Sequence, residues 1–324
     1  MRLTQKLGKK GRFAKVSGGV MIRFGLCCIF RKEPIKFRRT TAKYLGRFSR
    51  RHQLAYLSEL CRVNADALYT ALQFCRRHGI KGFRINSQIL PLKTHPDIGY
   101  RFEDLPSHGK IRRMFERCGT YAAEHDLRTT FHPDQFILLS SPDDKVIQRS
   151  TADLIYQSEV AQWVNADVIN IHGGGAYGDK IRTLNRLRRE IERLPEAVRR
   201  RLTLENDDRS YTPKDLLPVC RDMEIPLVYD VHHHRCLPDG NGVEKSTQLA
   251  LKTWNREPLF HLSSPLNTWG GGNPRNHHDF IDIADFPRFW LQLDITIEVE
   301  AKDKELAVLK LMTDIHRLST EESA

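Results

Sequence analysis

Apolar runs of four to seven residues recur along the chain, and between them lie segments whose apolar residues return every three or four positions. The runs at 22–28, 82–86, 128–132, 167–172, 202–205, 227–230, 259–263 and 294–300 read as eight strands, being short, rich in branched and aromatic residues and bounded by turn formers. Asn64 reads as the N-cap of a helix with Leu68, Ala71, Leu72 and Cys75 on its apolar face and Gly79 as its stop. Further helices are expected at 146–163, on Leu184, Leu187, Ile191 and Leu194 with Pro195 interrupting, and from Thr212-Pro213 onward. Strands this apolar are covered on both faces, so the alternation favours a parallel (β/α)₈ TIM barrel over a doubly wound open sheet.

Most of the runs end in a ligand type. His132, His172, Glu205 and Asp230 close successive strands, and His233, His261, His277 and Glu300 follow in kind. Barrel enzymes place their chemistry at the C-terminal ends of the strands. Imidazoles mixed with carboxylates suit Mn²⁺ or Zn²⁺ better than Mg²⁺ alone. Two or three such ions would favour phosphoryl displacement by activated water. Taken as extended chain, His232-His233-His234 sends only one or two imidazoles to a common centre. His234 is read as a surface residue together with His52, His78, His108, His125 and His316, and Trp254, Trp269 and Trp290 are read as packing. The connection 264–287, with Gly270-Gly271-Gly272, is long enough to expect a functional loop.

A chain of 324 residues accommodates one barrel of roughly 250 residues with extensions. The expected division is a basic, unstructured extension at 1–20, the barrel at 21–310 and a tail at 311–324. No apolar run suits a membrane span or a signal peptide, so a cytoplasmic monomer is expected. Seven cysteines without CxxC spacing read as reduced thiols, Cys27-Cys28 being the one ambiguous pair. The charge is uneven: of a net +12, residues 1–51 carry sixteen Lys and Arg against Glu33 alone. That basic arm, including Arg38 and Arg39, points to a polyanionic partner such as duplex DNA.

The ordered motifs His78-Gly-Ile-Lys-Gly-Phe-Arg-Ile-Asn-Ser, Thr94-His-Pro96, His132-Pro-Asp-Gln-Phe136, Leu204-Glu-Asn-Asp207, Tyr229-Asp-Val-His-His233, His261-Leu-Ser-Ser-Pro265 and Asn276-His-His-Asp-Phe-Ile281 resemble the UV damage endonucleases. These are relatives of the endonuclease IV type of apurinic nuclease. The resemblance implies a manganese enzyme that nicks double-stranded DNA 5′ to ultraviolet photoproducts and abasic sites, leaving a 3′-hydroxyl. It implies that His132 and His172 ligate one ion, that Glu205 bridges to a second held by Asp230, His261 and Glu300, and that His233 and His277 hold a third. His95 corresponds to a further active-site histidine, and Gln135 with Phe136 to the pair that probes the helix opposite a lesion. Two departures stand out. Leu259 replaces the family's carboxylated lysine, so one ion is expected to be held weakly; Leu26 and Phe30 replace lesion-pocket residues, so lesion range is expected to differ. The rivals are a sugar isomerase or epimerase on the same barrel, and a non-catalytic binder of damaged DNA.

Overall fold

The computed structural model describes residues 22–321; the basic extension at 1–20 lies outside the described residues. Eight parallel strands close into a barrel in chain order: β1 (Ile22–Cys27), β2 (Gly82–Ile85), β3 (Arg128–Phe131), β4 (Val168–His172), β5 (Leu202–Glu205), β6 (Leu227–Asp230), β7 (Leu259–Leu262) and β8 (Ile295–Val299). Strand β1 pairs β8, with Gly25 beside Glu298, which removes the edges an open sheet would have. Expected and observed strands differ by no more than a residue or so at either end. Helices cover the outside, so each strand is buried on both faces.

Side chains two apart on a strand share a face, and this sets the layers of the lumen. Val168, Val228 and Leu259 form an apolar plug of their own, against which Trp254 packs. One step up come Asn170, Thr203, Thr130 and Glu298, with Arg84 from β2. Contacts across the barrel show that these face the lumen: Thr130 donates to Glu298, and Thr203 Oγ1 donates to Asn170 Oδ1 at 2.9 Å. One step further, at the C-terminal ends, stand the histidines and carboxylates.

Several expectations are corrected by tertiary contacts. Asn64 is no N-cap: one helix runs through it from Arg50 to Arg77, started near Ser49. Its fully buried amide accepts from the Arg38 N–H at 2.6 Å and donates to the carbonyls of Arg38 (3.0 Å) and Ile89 (2.9 Å), so it pins the loops after β1 and β2. The supposed tail from 311 continues a helix, Glu305–Glu321, because Leu311 and Ile315 bury against the barrel. At the start of that helix, the Glu305 carboxylate accepts from the N–H groups of Arg31, Lys32 and Glu33 at 2.7, 2.7 and 3.2 Å. The basic loop after β1 is thereby fixed at both ends. Thr212 caps the helix Pro213–Asp222 in a capping box with Asp215, as Thr212-Pro213 predicts. All seven cysteines are free. No helix among the described residues is long and apolar enough to cross a membrane.

A candidate metal centre at the mouth of the barrel

Glu205 is the hub. Fully buried at the end of β5, it receives four imidazoles: His132 Nε2 at 2.9 Å and His172 Nε2 at 3.2 Å from one oxygen, His261 Nδ1 at 3.0 Å and His233 Nδ1 at 3.4 Å from the other. Asn170, one layer below on β4, donates to the same carboxylate at 2.5 Å and fixes its plane. Beside this hub, Asp230, His261 and Glu300 converge, with His261 Nδ1 3.5 Å from Glu300 Oε1. Among the described residues, three groups offer ligand atoms close enough for an ion: His132, Glu205 and His261; His172, Glu205 and His233; Asp230, His261 and Glu300. Seven of the expected residues fall in these groups, with His132 beside His261 and His172 beside His233.

Whether a cation suits this arrangement is decided by the unsatisfied atoms. Asp230 Oδ2 is buried without a hydrogen bond, its nearest charged neighbour being His233 Nδ1 at 3.5 Å, while its other oxygen accepts from the His233 N–H at 2.8 Å. A buried carboxylate oxygen with no hydrogen bond is expensive unless a positive charge meets it. The donor set, imidazole nitrogens and carboxylate oxygens, fits a borderline divalent metal.

The protonation states agree with that view. Burial would raise the Glu205 carboxyl, but His261, His172 and His132 hold it well below the usual range. Burial likewise opposes the ionisation of Glu300, and Arg84 and His261 overcome it. His261 is pushed up to about 10 because Glu205, then Glu300, outweigh the desolvation that would lower it. His233 rises well above its ordinary value against burial, through Asp230 and Glu205. His132 is lowered, burial winning over Glu205. Protons thus occupy part of the positive charge that ions would supply.

His277 lies outside the three groups, its Nδ1 4.0 Å from Glu300 Oε2 and its ring 6.3 Å from that of His233. The three consecutive histidines are helical, in Val231–Cys236, so they diverge by about 100° each rather than alternating. His233 turns to Glu205. His234 is buried, not exposed, held by the Tyr229 hydroxyl at 2.7 Å and by Asp239 at 3.2 Å. His232 is buried against Trp269 and His277.

Sequence reading missed Arg84, Glu298, Asn170 and Asn206. Arg84 reaches Glu298 Oε2 and Glu300 Oε1 at 2.5 and 2.6 Å, and Asn206 locks β6 by bonding both backbone groups of Asp230. The available signal was a buried-face position two residues before a ligand, visible at Asn170 and Glu298.

A cavity of about 380 Å³ opens beside Glu300 and His277, lined by Cys28, Phe37, Arg39, Lys302 and Lys304. Arg38 and Arg39 are exposed on the loop after β1. Gln135 and Phe136 stand on the loop after β3, and Phe136 is 71% exposed. His95 joins no ligand group. It lines a separate cavity of about 220 Å³ with Asp134, Asp153 and Gln157, its Nδ1 accepting from the Asp97 and Ile98 N–H groups at 3.2 and 3.3 Å.

Against known proteins, a family model described as UV-endonuclease UvdE matches residues 22–322. The chain belongs to the UV-endonuclease UvdE family. It is 34% identical over 313 residues to the UV DNA damage endonuclease of Bacillus velezensis, covering 91% of this chain and 94% of that protein, and 31% identical over 264 residues to that of Bacillus mycoides, covering 78% and 80%. The crystal structure of SacUVDE superposes with a TM-score of 0.81 at 27% identity, over 92% of this chain and 99% of that one. Endonuclease IV from Thermus thermophilus shares the fold, with a TM-score of 0.56 at 14% identity over 93% and 99% of the two chains. For a UvdE-family chain, the Glu205 hub on a closed barrel gives the site its setting.

Proposed function

We propose that this chain is a metal-dependent endodeoxyribonuclease that nicks duplex DNA immediately 5′ to ultraviolet photoproducts, and at abasic sites, leaving a 3′-hydroxyl. The observation that carries the reading is Glu205, ringed by four imidazoles beside Asp230 Oδ2, buried without a hydrogen bond. Family membership supplies the substrate class; manganese is the ion the family resemblance implies and the donor set admits, and the active form is read as a monomer.

Ions held by these groups would neutralise charge on the scissile phosphate and activate a water. The chain's own residues do the rest. Glu205, fixed by Asn170, orients His132, His172, His233 and His261 toward one centre, while Asp230 and Glu300 complete the acidic side. Arg39, Lys302 and Lys304 surround the adjoining cavity with positive charge suited to DNA phosphates. Exposed Phe136, beside Gln135, offers a stacking face to unpaired bases, and a lesion that is already unstacked is cheaper to distort than intact duplex. His95, in a separate cavity with Asp134, is kept as a further active-site histidine outside the three ion-binding groups.

The test is conversion of ultraviolet-irradiated supercoiled plasmid to the nicked form, with Mn²⁺ and with chelator, for the wild type and Glu205→Gln. Nicking of irradiated plasmid alone, lost in chelator and in the variant, is expected. A wild type that binds irradiated DNA but never nicks it, or a folded Glu205→Gln protein at wild-type rate, overturns the reading.

A further inference from the structure

His261 presents its two ring nitrogens to different surroundings. Nδ1 faces the ion-binding carboxylates, 3.0 Å from Glu205 and 3.5 Å from Glu300. Nε2 faces into the barrel, 3.1 Å from Glu298 Oε2 and 2.9 Å from Arg84 Nη2. Glu298 lies beside His261 in the register of β7 and β8, and both are buried. An ion on Nδ1 leaves the ring proton on Nε2. Arg84 carries only donors, so its 2.9 Å contact is a hydrogen bond only while Nε2 is bare; once Nε2 holds the proton, the Glu298 carboxylate is the acceptor beside it. Oε1 of Glu298 meets Thr130 and Oε2 meets Arg84 and His261, and Glu298 belongs to none of the three groups that could hold an ion.

The lumen is shaped around this carboxylate. Gly25 on β1 is its register partner, and a Cβ there would stand 3.1 Å from Glu298 Cγ. On β7, the position two residues before His261 is Leu259, packed in the apolar plug with Val168 and Val228 and unable to offer charge.

We propose that Glu298 is the positioning residue of His261: it accepts the Nε2 proton and holds Nδ1 as the ligating nitrogen. Arg84 holds that carboxylate in plane, its guanidinium 2.5 Å from Oε2. The inference rests on the metal-dependent reading above. A carboxylate behind a ligating imidazole fixes its tautomer and raises its basicity, and losing such a partner typically weakens metal affinity roughly 10- to 100-fold.

The test uses the full chain without DNA, titrating Mn²⁺ into metal-free protein and reading free Mn²⁺ by electron paramagnetic resonance. Glu298→Gln keeps the shape and leaves an acceptor oxygen for Arg84, its NH₂ turning to the Thr130 hydroxyl as donor, while removing the charge. It should weaken one class of Mn²⁺ site by roughly 10- to 100-fold. In a His261→Ala background the same change should have no further effect, since Glu298 acts through that ring; an equal loss in both backgrounds would overturn the proposal. Independently of that background, the Zn²⁺-loaded, ¹⁵N-histidine-labelled wild type should show His261 as the Nε2–H tautomer, with that resonance displaced in Glu298→Gln. Unchanged affinity and resonance in Glu298→Gln overturn this inference alone, whereas a wild type that binds no Mn²⁺ overturns the metal-dependent reading with it.

Discussion

Glu205→Gln should destabilise the metal-free protein in a pH-dependent way that reports the hub directly. In the absence of ions the Glu205 carboxylate balances protonated imidazoles, foremost His261, whose rise from 6.5 to about 10 corresponds to roughly 4 to 5 kcal/mol of attraction left after burial. Glu205 leads the two carboxylates responsible, so its share is roughly 3 kcal/mol, in line with the roughly 3 to 5 kcal/mol lost when one member of a buried ion pair is removed. The sign follows from the direction of each displacement. A histidine raised on folding stabilises fully below about 6.5, and that stabilisation is lost as pH climbs through about 10. A depressed carboxylate contributes above its ordinary value and loses that contribution in strong acid. The variant should therefore be roughly 3 kcal/mol less stable at pH 6, with the gap narrowing to about 1 kcal/mol by pH 9. Equilibrium urea unfolding in chelator at both values measures it. A gap under about 1 kcal/mol at pH 6, or the same gap at both, refutes the reasoning.

Mn²⁺ binding should release protons at neutral pH, because His261 and His233 hold them in the metal-free state; calorimetric titration in buffers of differing ionisation enthalpy should show this, with affinity rising from pH 6 to pH 9. Gln135→Ala with Phe136→Ala should narrow the ratio of affinities for damaged and undamaged duplex by roughly 1 to 3 kcal/mol per lost stacked base, leaving salt-dependent binding in place; matched oligonucleotides at one salt concentration read it. Asn64→Ala removes three hydrogen bonds from a buried amide and should cost roughly 2 to 3 kcal/mol in urea unfolding, with the Arg38–Arg39 loop exchanging amide hydrogens faster.

The strands were legible because each is a short, doubly buried apolar run bounded by turn formers, a pattern that needs only local residues. The ligand types at their ends were legible for the same reason, period-two alternation placing His172, Glu205 and Asp230 on the lumenal face once the barrel is granted. Local pattern failed where a residue's partner is distant in the chain. Asn64 looks like a cap from its neighbours, yet it is held by Arg38 and Ile89. His232-His233-His234 was read as extended, but its hydrogen bonds start a helix at the Asp230 cap, which sends the three rings three ways. Which histidine shares an ion with which, and which nitrogen of His261 faces it, depends on barrel closure and strand stagger. Arg84 and Glu298 meet across 214 residues. Glu298 is marked only by its place two residues before Glu300, and nothing in the sequence around Arg84 marks it, because a buried charge is tolerable only beside its opposite, and only the closed barrel puts the two together.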